Sequence, residues 1–569
     1  MLRSVFTFLL LYISTSCLFS EKAQGQELYL KLIGSDSTET KTIDSLKYKK
    51  LHKNFESVNI ELSNFKNRLD HLGYIEHQLV KTERTDSLLT TTFSLNKKYK
   101  NLKIFYSDSL LPKKIISSIS NNIHDNYFVI PIHQAEKTLE HINLKLSELG
   151  DPFNSIKLSN LSLNIEEEEI QASLRTSKNI QKRQIDKIII KGYEKFPKSY
   201  LKYYLKIKEK ELFNLTKIKN QVKNLNELQF ANQLTDPEIL FTKDSTTLYL
   251  FLNKLKSNNF DGFIGFGTNE ESNTLEFSGY LNLELNNNLN YGESFRLVYK
   301  SDENEQKTFN ANFNLPYIFG TPLGTELELH LLKKDSSYST ANQSAKIFYQ
   351  LNPKNKLFAG IRSIQSNNLL DSIYRNPYIK DYKTVFYNIR FQHIKRQKDN
   401  FLFNISTEFD LQVETGKREY NKQNTKQHQI SLDAYHIFNL NQKNNIYLGL
   451  QSFGLISDNY FENELARFGG INSIRGFEEN SLFATLFGVF NTEYRYVFNN
   501  SLYAHSIIDF AYLENDLLNQ KEKLYSFGFG FGLITKAGLL KFNFANGKTE
   551  NQSFKFSNSQ VHLSLTAFF

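Results

Sequence analysis

The chain has 569 residues and a formal net charge of +9 at pH 7, with 48 Phe, 31 Tyr, one Cys and no Trp. Beyond residue 25 no run of about eighteen residues is apolar, which excludes a helical membrane protein but leaves a β-barrel open, because barrel strands alternate and average out polar. Lysine is spread along the chain and acidic residues nearly match it, so the charge predicts no nucleic-acid partner.

Residues 1–25 have the pattern of a signal peptide. Arg3 supplies the positive charge, an apolar run covers Val5–Ile13, and small residues at Ala23–Gly25 offer a cleavage site. Cys17 lies within this segment without the preceding leucine of a lipobox, which favours an unmodified cysteine and leaves lipidation undecided. The mature chain would then contain no cysteine, which excludes disulfides and thiolate metal sites.

Residues 28–255 contain an internal repeat with a period of about 76 residues. Each copy holds one helix whose apolar residues recur at spacings of 3, 4 and 3. The three stripes are Leu62, Phe65, Leu69 and Leu72; Leu139, Ile142, Leu146 and Leu149; and Leu215, Ile218, Val222 and Leu225. A short strand is predicted before each helix, at Leu28–Leu32, Tyr127–Ile130 and Ile185–Ile190, and two strands after it. We therefore predict three α/β units, at 26–106, 107–180 and 181–255.

From residue 256 onward the apolar residues recur with period two, which predicts strands. The clearest apolar row is Phe401, Phe403, Ile405, Phe409, Leu411 and Val413, with polar residues between its members. A two-sheet soluble sandwich alternates in the same way. Strands of membrane-spanning length, aromatic residues at strand ends and the export signal favour a membrane barrel. Residues 256–569 provide an even number of strands between about fourteen and eighteen.

The stretch Phe468–Leu482, F-G-G-I-N-S-I-R-G-F-E-E-N-S-L, predicts a tightly folded loop. Gly469, Gly470 and Gly476 permit backbone angles that other residues reach only at a cost, so this loop can approach a wall closely.

Within that loop, S-I-R-G-F resembles the V-R-G-F/Y signature of the BamA/TamA superfamily of outer-membrane assembly barrels. The matching residues are Ile474, Arg475, Gly476 and Phe477. The resemblance implies that the loop folds back into the lumen and that the barrel has sixteen strands.

A guanidinium inside a barrel needs an acidic partner, because an unpaired buried charge is costly. If Tyr494 and Phe510 face lipid, the alternation places Glu493 and Asp509 on the lumen face of two consecutive strands. The resemblance implies the same pairing, since the family has an acidic residue in each of these strands that contacts the loop arginine. Ala511 departs from the pattern, which usually has glycine there.

The next strand reads F-G-F-G-F-G-L over 527–533. Its phenylalanines would face lipid, and Gly528, Gly530 and Gly532 would face the lumen. A row of glycines leaves room for another backbone, so we predict that these residues form the bed of the loop. The alternative is a strongly curved strand whose glycines relieve crowding.

The repeats resemble the POTRA domains of the same superfamily, most clearly through the I-x-x-I-x-I-x-G start at Ile185–Gly192. The last strand ends on Phe569 and resembles the β-signal of outer-membrane proteins. The predicted fold class is therefore α+β POTRA-like repeats followed by an antiparallel 16-stranded transmembrane β-barrel. The resemblance places the barrel in the outer membrane and the repeats in the periplasm.

The function that the resemblance implies is insertion or translocation of β-barrel or surface proteins. Its partners would be unfolded outer-membrane clients and outer-membrane lipid; a periplasmic or inner-membrane partner stays open. Two alternatives are a two-partner secretion pore and a passive porin with spacer repeats. The histidine spacing, the lack of G-x-S-x-G and the lack of a phosphate-binding loop predict no enzyme, no metal and no cofactor.

Overall fold

The computed structural model describes residues 27–107, 111–176, 182–268, 275–301, 306–370, 376–397, 400, 402–535 and 538–566. Across these ranges, no helix is both long and apolar enough to cross a membrane. The predicted signal peptide with Cys17 and the C-terminal Phe569 lie outside the described residues.

The first repeat places two helices, Ser37–Ser45 and Phe55–His71, on a four-stranded sheet of order β2-β1-β4-β3. Its strands are β1 (Leu28–Gly34), β2 (Leu51–His52), β3 (Gln78–Thr85) and β4 (Leu88–Ser94). The central strands β1 and β4 are parallel. Phe65 and Leu69 of the predicted stripe are fully buried in this core, so the amphipathic pattern is confirmed.

The second repeat forms with the first a compact unit that comprises the described residues up to Arg183 together with Leu212–Asn214. Its sheet has the order β6-β7-β5-β9-β8 and is covered by helices Lys113–Ile116 and Ala135–Glu148. The strands are β5 (Asn101–Phe105), β6 (Asn122–Ile123), β7 (Tyr127–Pro131), β8 (Ile156–Asn164) and β9 (Glu169–Thr176).

The strand β5 lies in the second sheet, although the sequence-based boundary at 106/107 assigned it to the first repeat. It pairs in parallel with β9, as β1 pairs with β4. The predicted strand at Tyr127–Ile130 forms as part of β7, but its counterpart in the first repeat is β2 rather than β1, because both β2 and β7 precede the long helix.

The third repeat belongs to the second compact unit, together with all that follows. Its strands are β10 (Lys187–Gly192), β11 (Ala231–Gln233), β12 (Glu238–Phe241) and β13 (Thr246–Lys254). A π-helical turn covers Tyr200–Tyr204, and the predicted helix forms at Leu215–Val222. The first and last strands of the repeat in chain order, β10 and β13, are again parallel, so the three repeats share one plan.

Sixteen antiparallel strands form one sheet, which confirms the predicted number. They are β14 (Asn259–Thr268), β15 (Leu275–Asn286), β16 (Ser294–Ser301), β17 (Lys307–Leu315), β18 (Leu323–Lys334), β19 (Tyr338–Asn352), β20 (Asn355–Asn368), β21 (Tyr382–Arg396), β22 (Ile405–Tyr420), β23 (Gln423–Asn439), β24 (Asn444–Ser457), β27 (Leu486–Asn499), β28 (Leu502–Asn515), β29 (Gln520–Thr535), β30 (Gly538–Thr549) and β31 (Ser559–Thr566). A short hairpin of β25 (Ala466–Phe468) and β26 (Leu482–Ala484) lies in the connection between β24 and β27.

Side chains alternate between the two faces of this sheet. Phe529 and Val413 are exposed on the outer face, whereas inward-facing residues form ion pairs such as Arg390–Asp410 and Arg362–Glu414. Phe403 differs from its prediction: it precedes β22 and is buried, 4.6 Å from ring centroid to the Arg495 guanidinium. The apolar outer face is the surface that a bilayer requires.

The two ends of the sheet meet at β14 and β31, whose Cα atoms approach within 8 Å. Among the described residues, the ladder of backbone pairing runs from β14 through the other strands to β31 without joining these two. We call this junction the seam. It is the one place in the described sheet where neighbouring strands lie side by side without a pairing register.

The third repeat docks on the turns at one end of the barrel, which we call the entry end because the chain enters there. The Tyr193 hydroxyl donates to Asn290 and accepts from Asn287, both at 2.7 Å. Tyr200 is buried in an edge-to-face contact with Tyr317, 5.0 Å between ring centroids, and its hydroxyl donates to the Gly292 carbonyl. Burial raises the pKa of Tyr200 well above its usual value, so the hydroxyl stays a donor.

Candidate functional site

The candidate site is built around residues 458–485, which connect β24 and β27 at the end opposite the third repeat. Gly469, Gly470 and Gly476 have φ angles of +106°, +97° and +80°, as the sequence predicted for a tight loop. Ile474 is fully buried beside Phe468, and the Phe468 ring stacks on Phe487 of β27 at 4.3 Å. Apolar packing therefore holds the loop against the inner wall.

Arg475 occupies the centre of the site and is only 4% exposed. Its Nε and Nη2 donate to the two carboxylate oxygens of Asp509 at 2.8 and 2.5 Å, and its backbone N–H donates to the same carboxylate at 3.1 Å. Its Nη1 donates to Glu493. A guanidinium that donates two hydrogen bonds to one carboxylate and a third to another has most of its donors satisfied without water.

Glu493 and Asp509 reach the loop because alternate residues of a strand face the lumen, and both acids lie at such positions. Asp509 is fully buried and Glu493 is 8% exposed, whereas their neighbours Phe510 and Tyr494 are exposed on the outer face. The structure therefore brings together the arginine and both carboxylates that the sequence proposed. We call Arg475, Glu493 and Asp509 the clamp.

The wall adds two further contacts to the clamp. Arg495 of β27 donates from Nε to the second oxygen of Glu493 at 2.6 Å, so this carboxylate is shared between two arginines. Asn491 donates to the Ser473 carbonyl of the loop at 2.9 Å. Inside the barrel, the two positive charges of Arg475 and Arg495 are therefore balanced by the two negative charges of Glu493 and Asp509.

The glycine bed lies elsewhere than predicted. A Cβ on Gly476 would stand 2.5 Å from the backbone N of Gly547 in β30, and a Cβ on Gly547 would stand 2.4 Å from the Gly476 carbonyl. The nearest atoms around Gly528, Gly530 and Gly532 belong to wall residues instead: Phe544 and Ala545, Asn543 and His505, and Tyr503. These three glycines make room for neighbouring strands and their side chains, and Gly547 makes room for the loop.

A second anchor of the loop was not predicted from the sequence. Arg418 of β22 is 1% exposed, donates to Glu464 and Asn459, and lies 3.9 Å from the centroid of the Phe461 ring. Burial raises the pKa of the Glu464 carboxyl, and Arg418 opposes that shift. The sequence offered one signal for this anchor: the alternation of β22 places Arg418 in the same inward-facing row as Glu414. Nothing in the sequence indicated the partners of Arg418.

Beside the clamp lies a lumen cavity of about 640 Å³. Its wall includes the clamp residues Arg475 and Glu493 together with Arg495, Lys541 and Glu284. This arrangement offers charge and hydrogen-bonding groups of both signs. Nucleophile–base geometry does not occur among the clamp contacts, in which a permanent cation is held by carboxylates. The arrangement fixes a loop rather than activating a group.

The repeat and the barrel were compared with known proteins. The family described as POTRA, surface antigen variable number repeat, matches residues 184–253, which is the third repeat. A search of curated proteins finds no match. Among solved structures, the chain is similar to CdiB from Acinetobacter baumannii, with a TM-score of 0.52 and 16% identity over 83% of this chain and 90% of that one.

A structure of BamA from Haemophilus ducreyi lacking POTRA domains 1–3 also aligns, with a TM-score of 0.48 and 15% identity over 77% of this chain and 93% of that one. At these identities the likeness concerns the fold. The likeness to CdiB, together with the sixteen strands and the POTRA match, confirms the predicted fold of POTRA-like repeats followed by a barrel of the outer-membrane type.

Proposed function

We propose that this POTRA-plus-barrel protein of the outer membrane, with its repeats in the periplasm, is an assembly factor that inserts β-barrel proteins or translocates surface proteins. The observation that carries the proposal is the seam. Adjacent strands without a pairing ladder leave backbone donors and acceptors that an incoming strand can satisfy, and a bilayer offers those groups no water.

The repeats would receive clients along their sheet edges. β3 forms one edge of the first sheet, and all eight of its residues are exposed. An edge strand pairs with an extended chain through backbone hydrogen bonds, whatever the side chains of that chain. This mode of binding suits unfolded outer-membrane clients of differing sequence.

The clamp would keep the rest of the barrel closed while the seam exchanges partners. Three hydrogen bonds to Asp509 and one to Glu493 tie the loop to β27 and β28, away from β14 and β31. No chemical catalysis is part of this mechanism, because formation of backbone hydrogen bonds in a medium without water drives insertion.

The test is a covalent bridge across the seam. The only cysteine of the chain, Cys17, lies in the predicted signal peptide, so cysteine pairs can be introduced cleanly. Phe260→Cys in β14 would be combined with Val561→Cys or Leu563→Cys in β31, all outward-facing positions. The control bridge joins Val413→Cys and Ile430→Cys, which are opposite each other on β22 and β23.

Each full-length variant would be reconstituted in liposomes with a urea-denatured eight-stranded barrel as client. Oxidation of the seam pair should reduce client folding to the level of empty liposomes, and reduction should restore it; the control bridge should change neither. Equal folding with the seam bridged and open would contradict the proposal. Solute conductance without any client folding, even after reduction, would instead identify a passive porin.

A further inference from the structure

A basic groove lies outside the barrel at its entry end, between the third repeat and the turn that joins β17 to β18. It has a volume of about 320 Å³. The repeat contributes Lys202, Lys206 and Lys208, and the barrel contributes Tyr317 and Tyr349. The groove is separate from the clamp, which is held by the connection at the opposite end of the barrel.

The charge of this groove is not neutralised within the part of the chain that the structure describes. Lys202, Lys206 and Lys208 are exposed and have no carboxylate within 4 Å there. The one acidic residue that lines the groove, Glu211, is paired with Lys217. The lining therefore carries three uncompensated positive charges, which is the composition of a site for an anion.

The barrel side of the groove is aromatic, and two residues of its turn have backbone conformations that cost energy. Tyr317 and Phe319 adopt left-handed φ angles of +56° and +52°, which non-glycine residues rarely do. Tyr203 stacks on Tyr317 at 5.5 Å, and its hydroxyl donates to the Gly320 carbonyl at 2.5 Å. Phe319 is left 97% exposed.

The groove opens toward the face of the barrel that contacts lipid. Tyr349 of its lining belongs to the outward-facing row of β19, with Ile347 and Leu351 as exposed neighbours in that row. Tyrosine at the edge of an apolar belt, next to lysines with long apolar stems, is typical of the boundary between acyl chains and headgroups. Phe319 would then insert among the acyl chains beside the groove.

We infer that this groove binds the phosphate headgroup of an anionic glycerophospholipid from the periplasmic leaflet. The three lysines contact the phosphate, while Tyr349 and Phe319 contact the acyl chains. A soluble phosphate compound would satisfy only the lysines, and the continuity with the outward apolar row therefore favours the lipid. This inference does not depend on the proposed assembly function, because it concerns only how the third repeat and the rim meet the bilayer.

The test compares two triple variants of the full chain with equal loss of charge. The groove triple removes the cations of the groove and consists of Lys202→Gln, Lys206→Gln and Lys208→Gln. The control triple removes exposed lysines of the same repeat that do not line the groove, and it consists of Lys187→Gln, Lys191→Gln and Lys243→Gln. Both would be placed in nanodiscs of phosphatidylglycerol and phosphatidylethanolamine. Native mass spectrometry after release would count the phosphatidylglycerol molecules that stay bound.

The groove triple should lower phosphatidylglycerol retention by about a hundredfold, since each of the three lysines near a membrane surface contributes about fivefold. The control triple should match the wild type, and excess soluble glycerophosphoglycerol should displace no lipid. Equal losses in the two triples, or unchanged retention in the groove triple, would overturn the inference. Displacement by the soluble headgroup would also overturn it, because the groove would then recognise a free phosphodiester. An unchanged heat-induced mobility shift would verify that both variants are folded.

Discussion

Two walls of the same barrel differ in how they are held. The clamp wall, β27 and β28, pairs strand to strand and is bonded from inside by Arg475 through Asp509 and Glu493. In the seam wall, the described residues of β14 and β31 share no pairing ladder. Both walls arise from the same alternation of apolar and polar residues. Alternation alone therefore specifies the barrel, whereas a few inward-facing side chains determine which part of it is fixed.

The largest effect is expected from removal of the arginine. Arg475→Ala leaves two buried carboxylates without their cation and should lower barrel stability by about 3–5 kcal/mol. The midpoint temperature of the mobility shift in detergent would measure this loss. Arg296→Ala is the control, since Arg296 also lines the lumen but has no carboxylate within 4 Å among the described residues. Equal midpoint temperatures for the two variants would contradict the claim that Arg475 fixes the clamp wall.

Smaller effects are expected from the two acids, and in a fixed order. Asp509→Asn should cost about 3 kcal/mol and Glu493→Gln about half of that, because Asp509 accepts three hydrogen bonds from Arg475 and Glu493 accepts one. The same midpoint measurement applies.

A double-mutant cycle tests whether the acids and the arginine act as one group. The combination of Glu493→Gln with Arg475→Ala should cost less than the sum of the single changes. Some cost of Glu493→Gln should persist without Arg475, since Arg495 also binds this carboxylate. Strictly additive losses would show that the pair contributes nothing of its own.

The smallest effect is expected from the bed of the loop. Gly547→Ala forces a Cβ toward the Gly476 carbonyl and should cost about 1–2 kcal/mol, whereas Gly488→Ala on β27 meets no atom within 4 Å and should be neutral. Trypsin cleavage after Arg475 would report the release of the loop. Cleavage of both variants at the wild-type rate would mean that the loop does not rest on Gly547.

Much of the fold follows from periodicity. The helices at Phe55–His71 and Ala135–Glu148 form as the apolar spacing predicts. The alternation predicts between about fourteen and eighteen strands, and the number sixteen, which the sheet has, came from the family resemblance. The repeat boundary was harder to predict, because β5 has only five residues and its two buried side chains, Leu102 and Ile104, make too short a pattern to show which sheet it joins. A two-residue strand such as β2 leaves no periodic signal at all.

The site, like the fold, could be predicted where it depends on strand alternation and could not where it depends on packing in three dimensions. Parity predicts that Glu493 and Asp509 face the lumen, and the charge of Arg475 then selects them. Parity does not tell which inward glycine meets the loop, because that depends on how far β30 is shifted against the loop in three dimensions. The anchor at Arg418 was missed for the same reason: its partners are about 40 residues away in sequence and in an irregular segment.

The lengths of the strands have a consequence for the membrane itself. β21, β22 and β23 contain 15, 16 and 17 residues, whereas the described parts of β14 and β31 contain 10 and 8. At about 3.4 Å per residue and a tilt of about 40°, the longest strand rises about 44 Å and β14 only about 26 Å, against a hydrocarbon core of about 30 Å. The described strand lengths therefore match a thinner hydrocarbon core beside β14 and β31 than beside β21, β22 and β23, and membranes accommodate such a mismatch by compressing their acyl chains.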